Sequence, residues 1–468
     1  MLLIRHPPSY LQERAYILDV VLGEFLGLEF TAQAEQRPDV EIALAQAPDG
    51  KRLLVSEGLF ATPATLWLTS ESLPARPLAR WALEPEPLAP RLLERELPIL
   101  FGERLAAGSF YEELGDAGRL GLDVFGSIFF QLTRYEEIAD DTRDAHDRFP
   151  HEASLAYREG FLDRPLVNEY LDLLWAALER LGGSEQRRRH TFTERLSHDV
   201  DWPLQEPLSS PRLARAMLGD VLRRRDAGLA GGRLRAQRAR RRSDTTGDPY
   251  NSFDFIMDLS EQEGLRSAFY FQAGRTDARF DGTYSLEEPW IGALIRRIHE
   301  RGHEIGLHPS YATFRDPLAI RSEREALAGA CERLGVLQPQ WGGRQHFLRW
   351  ENPTTWRGWE QAGLAYDSSL GFSHAAGFRC GVCFEYPVFD LRERRRLRLR
   401  ERPLVAMEMA VIDGPGASGR AAVESIHALR RRCRHFGGEF TLLWHNSRLA
   451  SRRERALYTA SVREQQPT

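Results

Sequence analysis

The stretch Ser197-His198-Asp199-Val200-Asp201-Trp202 places two carboxylates one residue apart at the end of a short extended run. In a strand such residues project to the same side. Held that close, they repel unless a cation or a proton lies between them. A site in which one carboxylate binds a metal and the other takes a proton from water suits the pair; so does a simple turn. Three further extended runs end in related groups: His308 in 304–308, Arg344 and His346 in 340–346, and His445 in 440–445. Aspartate and neutral histidine are good ligands for zinc or a similar divalent ion. A bound metal acidifies water and polarises a carbonyl. A nearby carboxylate can act as base, an imidazolium can protonate a leaving amine, and an arginine beside the base keeps it ionised. Four strand ends of this kind point to metal-assisted hydrolysis.

Such residues must be positioned by regular elements. From residue 191 onward the pattern predicts strands at 191–198, 266–273, 303–308, 340–346, 364–367, 404–411 and 439–445. Helices are expected at 252–263, 287–301, 321–334, 353–363 and 422–436. This alternation argues for a parallel sheet, open or closed into a barrel, and in a barrel catalytic groups gather at the C-terminal strand ends. Residues 1–185 read as a mixed α/β domain, with a helical pattern at 16–22, alternation at 39–44, and helices over 123–135 and 166–181. The polar, aperiodic stretch after Gly182-Gly183 separates it from a second domain, 186–468. An arginine-rich insertion at about 212–243 interrupts the second domain. It would suit an anionic glycan, a phosphate-rich lipid surface or nucleic acid, but it has no interleaved aromatics for base stacking. A solvated, partly helical insertion is the favoured reading, and no nucleic-acid partner is expected.

Composition sets outer bounds. A chain of 468 residues is too long for one ordinary core. Its net charge of −4 gives no global drive toward nucleic acid or membrane. Cys380-Gly381-Val382-Cys383 has no second pair to complete a four-thiolate zinc site; a disulfide, a redox pair and two plain thiols remain, plain thiols being favoured. No secretory apolar core opens the chain and no run approaches the ~20 apolar residues that span a bilayer, so the expectation is a soluble cytoplasmic protein. No phosphate loop, HExxH helix or serine nucleophile elbow is present.

Over roughly 191–450 the chain resembles the NodB-type polysaccharide deacetylases, carbohydrate esterase family four. His198-Asp199-Val200-Asp201 resembles the first motif, which implies that Asp199 is the base and Asp201 a metal ligand. Gly302-His303-Glu304-Ile305-Gly306-Leu307-His308 resembles the approach to the second motif and implies His308 as a ligand. Arg344 stands where the third motif pairs an arginine with the base, and Leu443-Trp444-His445 resembles the last motif, whose histidine protonates the leaving group. The second motif usually carries another histidine four residues on; here that position is Ala312. His346 is the candidate replacement, because it ends a neighbouring strand on the side of Arg344. His303 is the poorer one, being at opposite parity to His308. Water in the vacant position, or loss of the metal, are the alternatives.

The resemblance implies a distorted (β/α) barrel preceded by a smaller α/β domain. It also implies a zinc, cobalt or nickel enzyme that removes N-acetyl groups from a surface polysaccharide or a lipid-linked precursor. An inactive glycan- or partner-binding barrel and a small cyclic amide or imide hydrolase are the competing readings. Residues 366–372 and 377–383 are expected near the substrate groove. Arg349, Trp350 and Trp444 are candidates for stacking on sugar rings, burial being the commoner use of tryptophan, and Glu408 and Asp413 for orienting Arg344 or His445, with ordinary structural roles as the alternative.

Overall fold

In a computed structural model, the structure describes all residues except 84–87, 89, 106–107, 206–208, 223–224, 240–244, 246, 413–418 and 464–468. Within residues 193–376, 404–431 and 439–468, seven short runs become strands: β1 Thr193–Val200, β2 Ser267–Phe271, β3 Glu304–Leu307, β4 Gly342–Gly343, β5 Tyr366–Asp367, β6 Ala406–Met407 and β7 Glu439–Leu443. They lie in the order β5-β4-β3-β2-β1-β7-β6, and each pairing is parallel. Parallel neighbours require crossovers. After an inserted pair, α1 Ser210–Leu222 and α2 Ala227–Ala239, these are supplied by α3 Phe253–Gln262, α4 Pro289–Glu300, α5 Pro317–Arg333 and α6 Thr354–Gln361. The start of α5 follows from its sequence: Pro317 occupies the first turn, and the Asp316 carboxylate accepts from the Leu318 and Ala319 amides.

The expected barrel does not close among the described residues. The strands follow chain order around the sheet, yet β5 and β6, at the two ends of this order, do not pair with each other. The reason is length: β4, β5 and β6 have two residues each, too few ladder bonds to complete a ring. The strand expected over 404–411 likewise stops at Met407, where a short helix, Glu408–Ile412, begins. A helix at Arg452–Val462, started by a Ser451–Glu454 capping box, went unread in the sequence.

Two glycines set the interior of this sheet. Tyr270 on β2 and Tyr366 on β5 bring their hydroxyls to 3.1 Å, with Ala268 completing the cluster. A Cβ at Gly306 would lie 2.4 Å from the Tyr270 ring, and one at Gly342 2.1 Å from the Tyr366 ring. Only hydrogen fits at either position. The tyrosines thus fill the space under the C-terminal strand ends and leave those ends to polar groups.

These strands belong to a compact unit of residues 193–376, 404–431 and 439–468; the other unit comprises 1–192, 377–403 and 432–438. The division at 185 places 377–403 and 432–438 with the second domain, whereas in the structure they cluster with the first unit. Packing explains this: the Phe389 ring lies 4.9 Å from Tyr16 and 5.5 Å from Phe129, and the Tyr16 hydroxyl donates to the Pro387 carbonyl at 2.7 Å. The first unit has a mixed six-stranded sheet, in the order 30–34, 2–6, 40–44, 47–55, 117–120, 111–114. Helices Val124–Leu132 and Leu166–Glu179 are buried along most of their length. All four cysteines are buried free thiols. Among the described residues no helix is long and apolar enough to cross a membrane.

Candidate functional site

Strand alternation sorts the residues around Asp199. Ser197 and Asp199 share one face of β1, with Asp201 just past its end, and His198 and Val200 take the other. His198 is held by the Trp444 carbonyl at 2.6 Å and the Ser267 hydroxyl at 3.1 Å. Burial drives its pKa down to about 3, so it is a neutral structural residue. The backbone ladder runs past the strand ends and carries the polar residues with it. The His308 amide donates to Phe271, that of Arg344 to Leu307, and that of Trp444 to Ser197.

Arg344 is fully buried and its N–H groups are directed by four acceptors. Nη1 donates to Asp199 Oδ1 at 2.9 Å, Nη2 to the Ser197 and Ser368 hydroxyls at 3.0 and 3.1 Å, and Nε to the Ser368 carbonyl at 2.9 Å. One oxygen of Asp199 is thereby fixed. The other, Oδ2, lies 3.8 Å from His308 Nε2.

Asp201, His308 and His346 each turn one ligand atom to a common point, and these atoms lie within 4.8 Å of one another. The tautomers follow from the far side of each ring. His308 Nδ1 meets the Arg344 carbonyl at 2.6 Å and His346 Nδ1 meets Asp281 Oδ1 at 2.8 Å. Each Nδ1 therefore carries hydrogen, and in the neutral ring each Nε2 presents its lone pair to Asp201, at 3.1 and 3.4 Å from Oδ1. Asp201 Oδ1 and His308 Nε2 are nevertheless buried without a hydrogen-bond partner, since their approach is not aligned as a bond. Burial would raise the Asp201 carboxyl pKa, but His346, His308 and His445 outweigh it and hold the group well below the carboxylate range. Burial likewise disfavours charge on His308, and Asp199 and Asp201 outweigh it, raising that pKa. One carboxylate oxygen and two imidazole nitrogens, buried and directed at one point, are a donor set that fits a divalent ion with a position left open.

His445 lies on the opposite side of Asp201, with Nε2 3.6 Å from Oδ2. Its Nδ1 donates to Glu408 Oε1 at 2.6 Å. Burial opposes charge on the ring, but Glu408, Asp201 and Asp199 raise its pKa to about 10. A cation beside Asp201 would draw that value down.

Residues 2–183 match a family of unknown function (DUF7033). No curated protein matches the chain. Among solved structures, one similar chain is a Mycobacterium smegmatis protein assigned as a polysaccharide deacetylase: 16% identity, TM-score 0.36, 58% of this chain and 82% of that one covered. Another is the Xyl-CE4 domain of a multidomain xylanase from the hindgut metagenome of Trinervitermes trinervoides: 10% identity, TM-score 0.27, 59% and 81% covered. A third, Agd3, is a novel carbohydrate deacetylase: 9% identity, TM-score 0.31, 72% and 52% covered. All three likenesses are remote.

The remaining sequence candidates fall in various places. Ala312 is exposed and offers only its amide, which donates to Thr276 Oγ1 at 2.8 Å. His303 turns away from the cluster, accepting from the Ser267 amide at 3.0 Å and meeting Glu261 at 3.2 Å. Trp350 and Trp444 are 2% and 1% exposed, packed against Trp356 and Tyr458, so neither presents a face for a sugar. Arg349 stacks over the Tyr311 and Phe314 rings, 4.0 Å from each. Of the two orienting candidates, Glu408 is on His445, whereas Asp413 lies outside the described residues. Sequence reading missed Asp281, which is 0% exposed and accepts from the Thr276, Asp277 and Tyr311 amides as well as His346. Burial would raise its carboxyl pKa; these donors lower it to about 2. Its place in the coil between β2 and α4 carries no periodic signal.

Proposed function

We propose that this site hydrolyses the N-acetyl group of a sugar in a bacterial surface polysaccharide or its lipid-linked precursor, with a divalent ion held by Asp201, His308 and His346. The reading rests chiefly on those three ligand atoms converging within 4.8 Å while Asp201 Oδ1 and His308 Nε2 lack any hydrogen-bond partner. Zinc is the expected ion, with cobalt or nickel as substitutes. When bound, such an ion supplies Lewis acidity toward an acetyl carbonyl and toward water.

The protein's own groups divide the proton work. Arg344 ties Asp199 Oδ1, leaving Oδ2 to take the proton from the attacking water. His445, charged and oriented by Glu408, gives a proton from Nε2 to the departing amine.

Metal analysis of the purified protein, together with acetate release from N-acetylated oligosaccharides, tests the proposal. Near-stoichiometric zinc, cobalt or nickel is expected, lost in His346→Ala, with acetate released by the wild type. A folded protein that takes up none of these ions after loading is instead an inactive glycan-binding barrel. Ring opening of small imides without acetate release identifies a cyclic amide hydrolase.

A further inference from the structure

The arginine-rich insertion carries more apolar surface than its packing uses. It folds as two helices, α1 and α2, that pack on each other. On α1 the inner stripe is Leu213, Ala216, Met217 and Asp220, in helical register, and none of the four is exposed. Asp220 is fully buried and accepts from Arg233 Nε on α2 at 2.6 Å, while Arg233 Nη1 donates to Gln205 at 2.8 Å. Inner packing and a buried ion pair thus already join the two helices.

A second apolar group lies on the outer side. Leu218, Val221 and Leu222, at positions i, i+3 and i+4, are 58%, 45% and 67% exposed. Arg212 and Arg215 precede them as exposed residues of the same helix, and the run Arg223-Arg224-Arg225 follows. Residues 210–243 contain eleven arginines against two aspartates, in a chain of net charge −4. A solvated basic helix has no use for three adjoining exposed aliphatic side chains. A helix resting in the interface of a bilayer does: its apolar residues enter the acyl boundary and its arginines meet lipid phosphates.

We propose that the outer face of α1, through Leu218, Val221 and Leu222 flanked by arginines, docks on an anionic phospholipid surface. Phosphate complementarity alone would also suit nucleic acid, but the exposed aliphatic group and the absence of any aromatic between 203 and 249 favour lipid. Arg225 and Gly228 line a cavity of about 640 Å³ together with Glu408, Trp444 and Arg448, so docking would bring a lipid surface beside the residue that orients His445. The surface itself is independent of the hydrolytic reading.

Full-length protein sedimented with vesicles tests this directly. Binding is expected to phosphatidylcholine vesicles containing phosphatidylglycerol, to be negligible with phosphatidylcholine alone, and to weaken as sodium chloride rises. Leu218→Ser/Val221→Ser/Leu222→Ser should lower the partition coefficient about tenfold or more with an unchanged circular dichroism spectrum. Arg212→Gln/Arg215→Gln should lower it too and flatten the salt dependence, giving a second measure should the serine variant misfold. Failure of the wild type to bind phosphatidylglycerol vesicles overturns the proposal, as does equal binding by wild type and a folded serine variant. A DNA duplex that binds wild type and serine variant alike and strips both from vesicles assigns the surface to nucleic acid and also overturns it.

Discussion

Two clusters of buried charge, one in each unit, differ in how completely their polar atoms are matched. In the first unit, Arg134 donates to Glu137 at 2.9 Å and Glu136 at 2.5 Å, and Arg379 reaches both oxygens of Glu137 at 2.9 and 2.6 Å. The second oxygen of Glu136 accepts from the Leu155 amide at 2.9 Å. Every carboxylate oxygen has a donor. In the second unit, buried His308 and half-buried Asp201, whose Oδ1 is itself enclosed, aim atoms at one another without a bond. Burying charge is costly unless it is paired. A network that closes on itself therefore stabilises the fold, whereas one left open at a shared point is arranged for something added later.

That contrast can be broken from either side. The largest effect is expected from Asp199→Asn, which should lower N-deacetylation about a thousandfold while metal content, read by elemental analysis, stays unchanged. Next, Glu137→Leu removes the carboxylate that Arg134 and Arg379 share, leaving Arg134 its bond to Glu136, and should cost about 3–5 kcal/mol in denaturant unfolding; metal content should again be unaffected. Asp281→Asn weakens the orientation of His346 and should reduce metal affinity roughly 10- to 100-fold by competitive chelation, with little change in unfolding. The smallest effect is acid sensitivity of the closed network. Burial would raise the Glu137 carboxyl pKa, but Arg379 and Arg134 outweigh it and hold it below its ordinary 4.5. The stability this provides is complete above about pH 4.5 and is lost as pH falls through the lower folded value. A loss of stability should appear in wild-type unfolding over that range and be absent in Glu137→Leu.

Legibility in the sequence followed the same physical division. Asp199, Asp201, His308, Arg344, His346 and His445 stand out because buried parallel strands read as apolar runs whose polar ends are conspicuous. All seven expected strands have a described counterpart, but those over 340–346 and 404–411 shrink to Gly342–Gly343 and Ala406–Met407. Asp281 was illegible because its contact with His346 joins a coil residue to one 65 positions away. Trp350 and Trp444 take the commoner, buried use of tryptophan, a choice open in the sequence because it reports an aromatic ring but not which side of a strand end it packs on. The hairpin Tyr386–Asp390 with Arg395–Glu401 was hidden by the arginines that alternate along its second strand. Nor does local pattern reveal that this hairpin completes the core of a unit begun near residue 1.

That last arrangement bears on how the protein is made. Tyr16 and Phe129 leave the ribosome long before Phe389, the ring that packs on both. Glu137 likewise waits for Arg379. Domains usually fold in order of synthesis, but here the earlier unit must hold an unfinished apolar surface and an undercompensated carboxylate while most of the later unit is translated. A nascent chain stalled near residue 370 should therefore expose the Tyr16–Phe129 surface to chaperones and proteases, and one released past residue 403 should not.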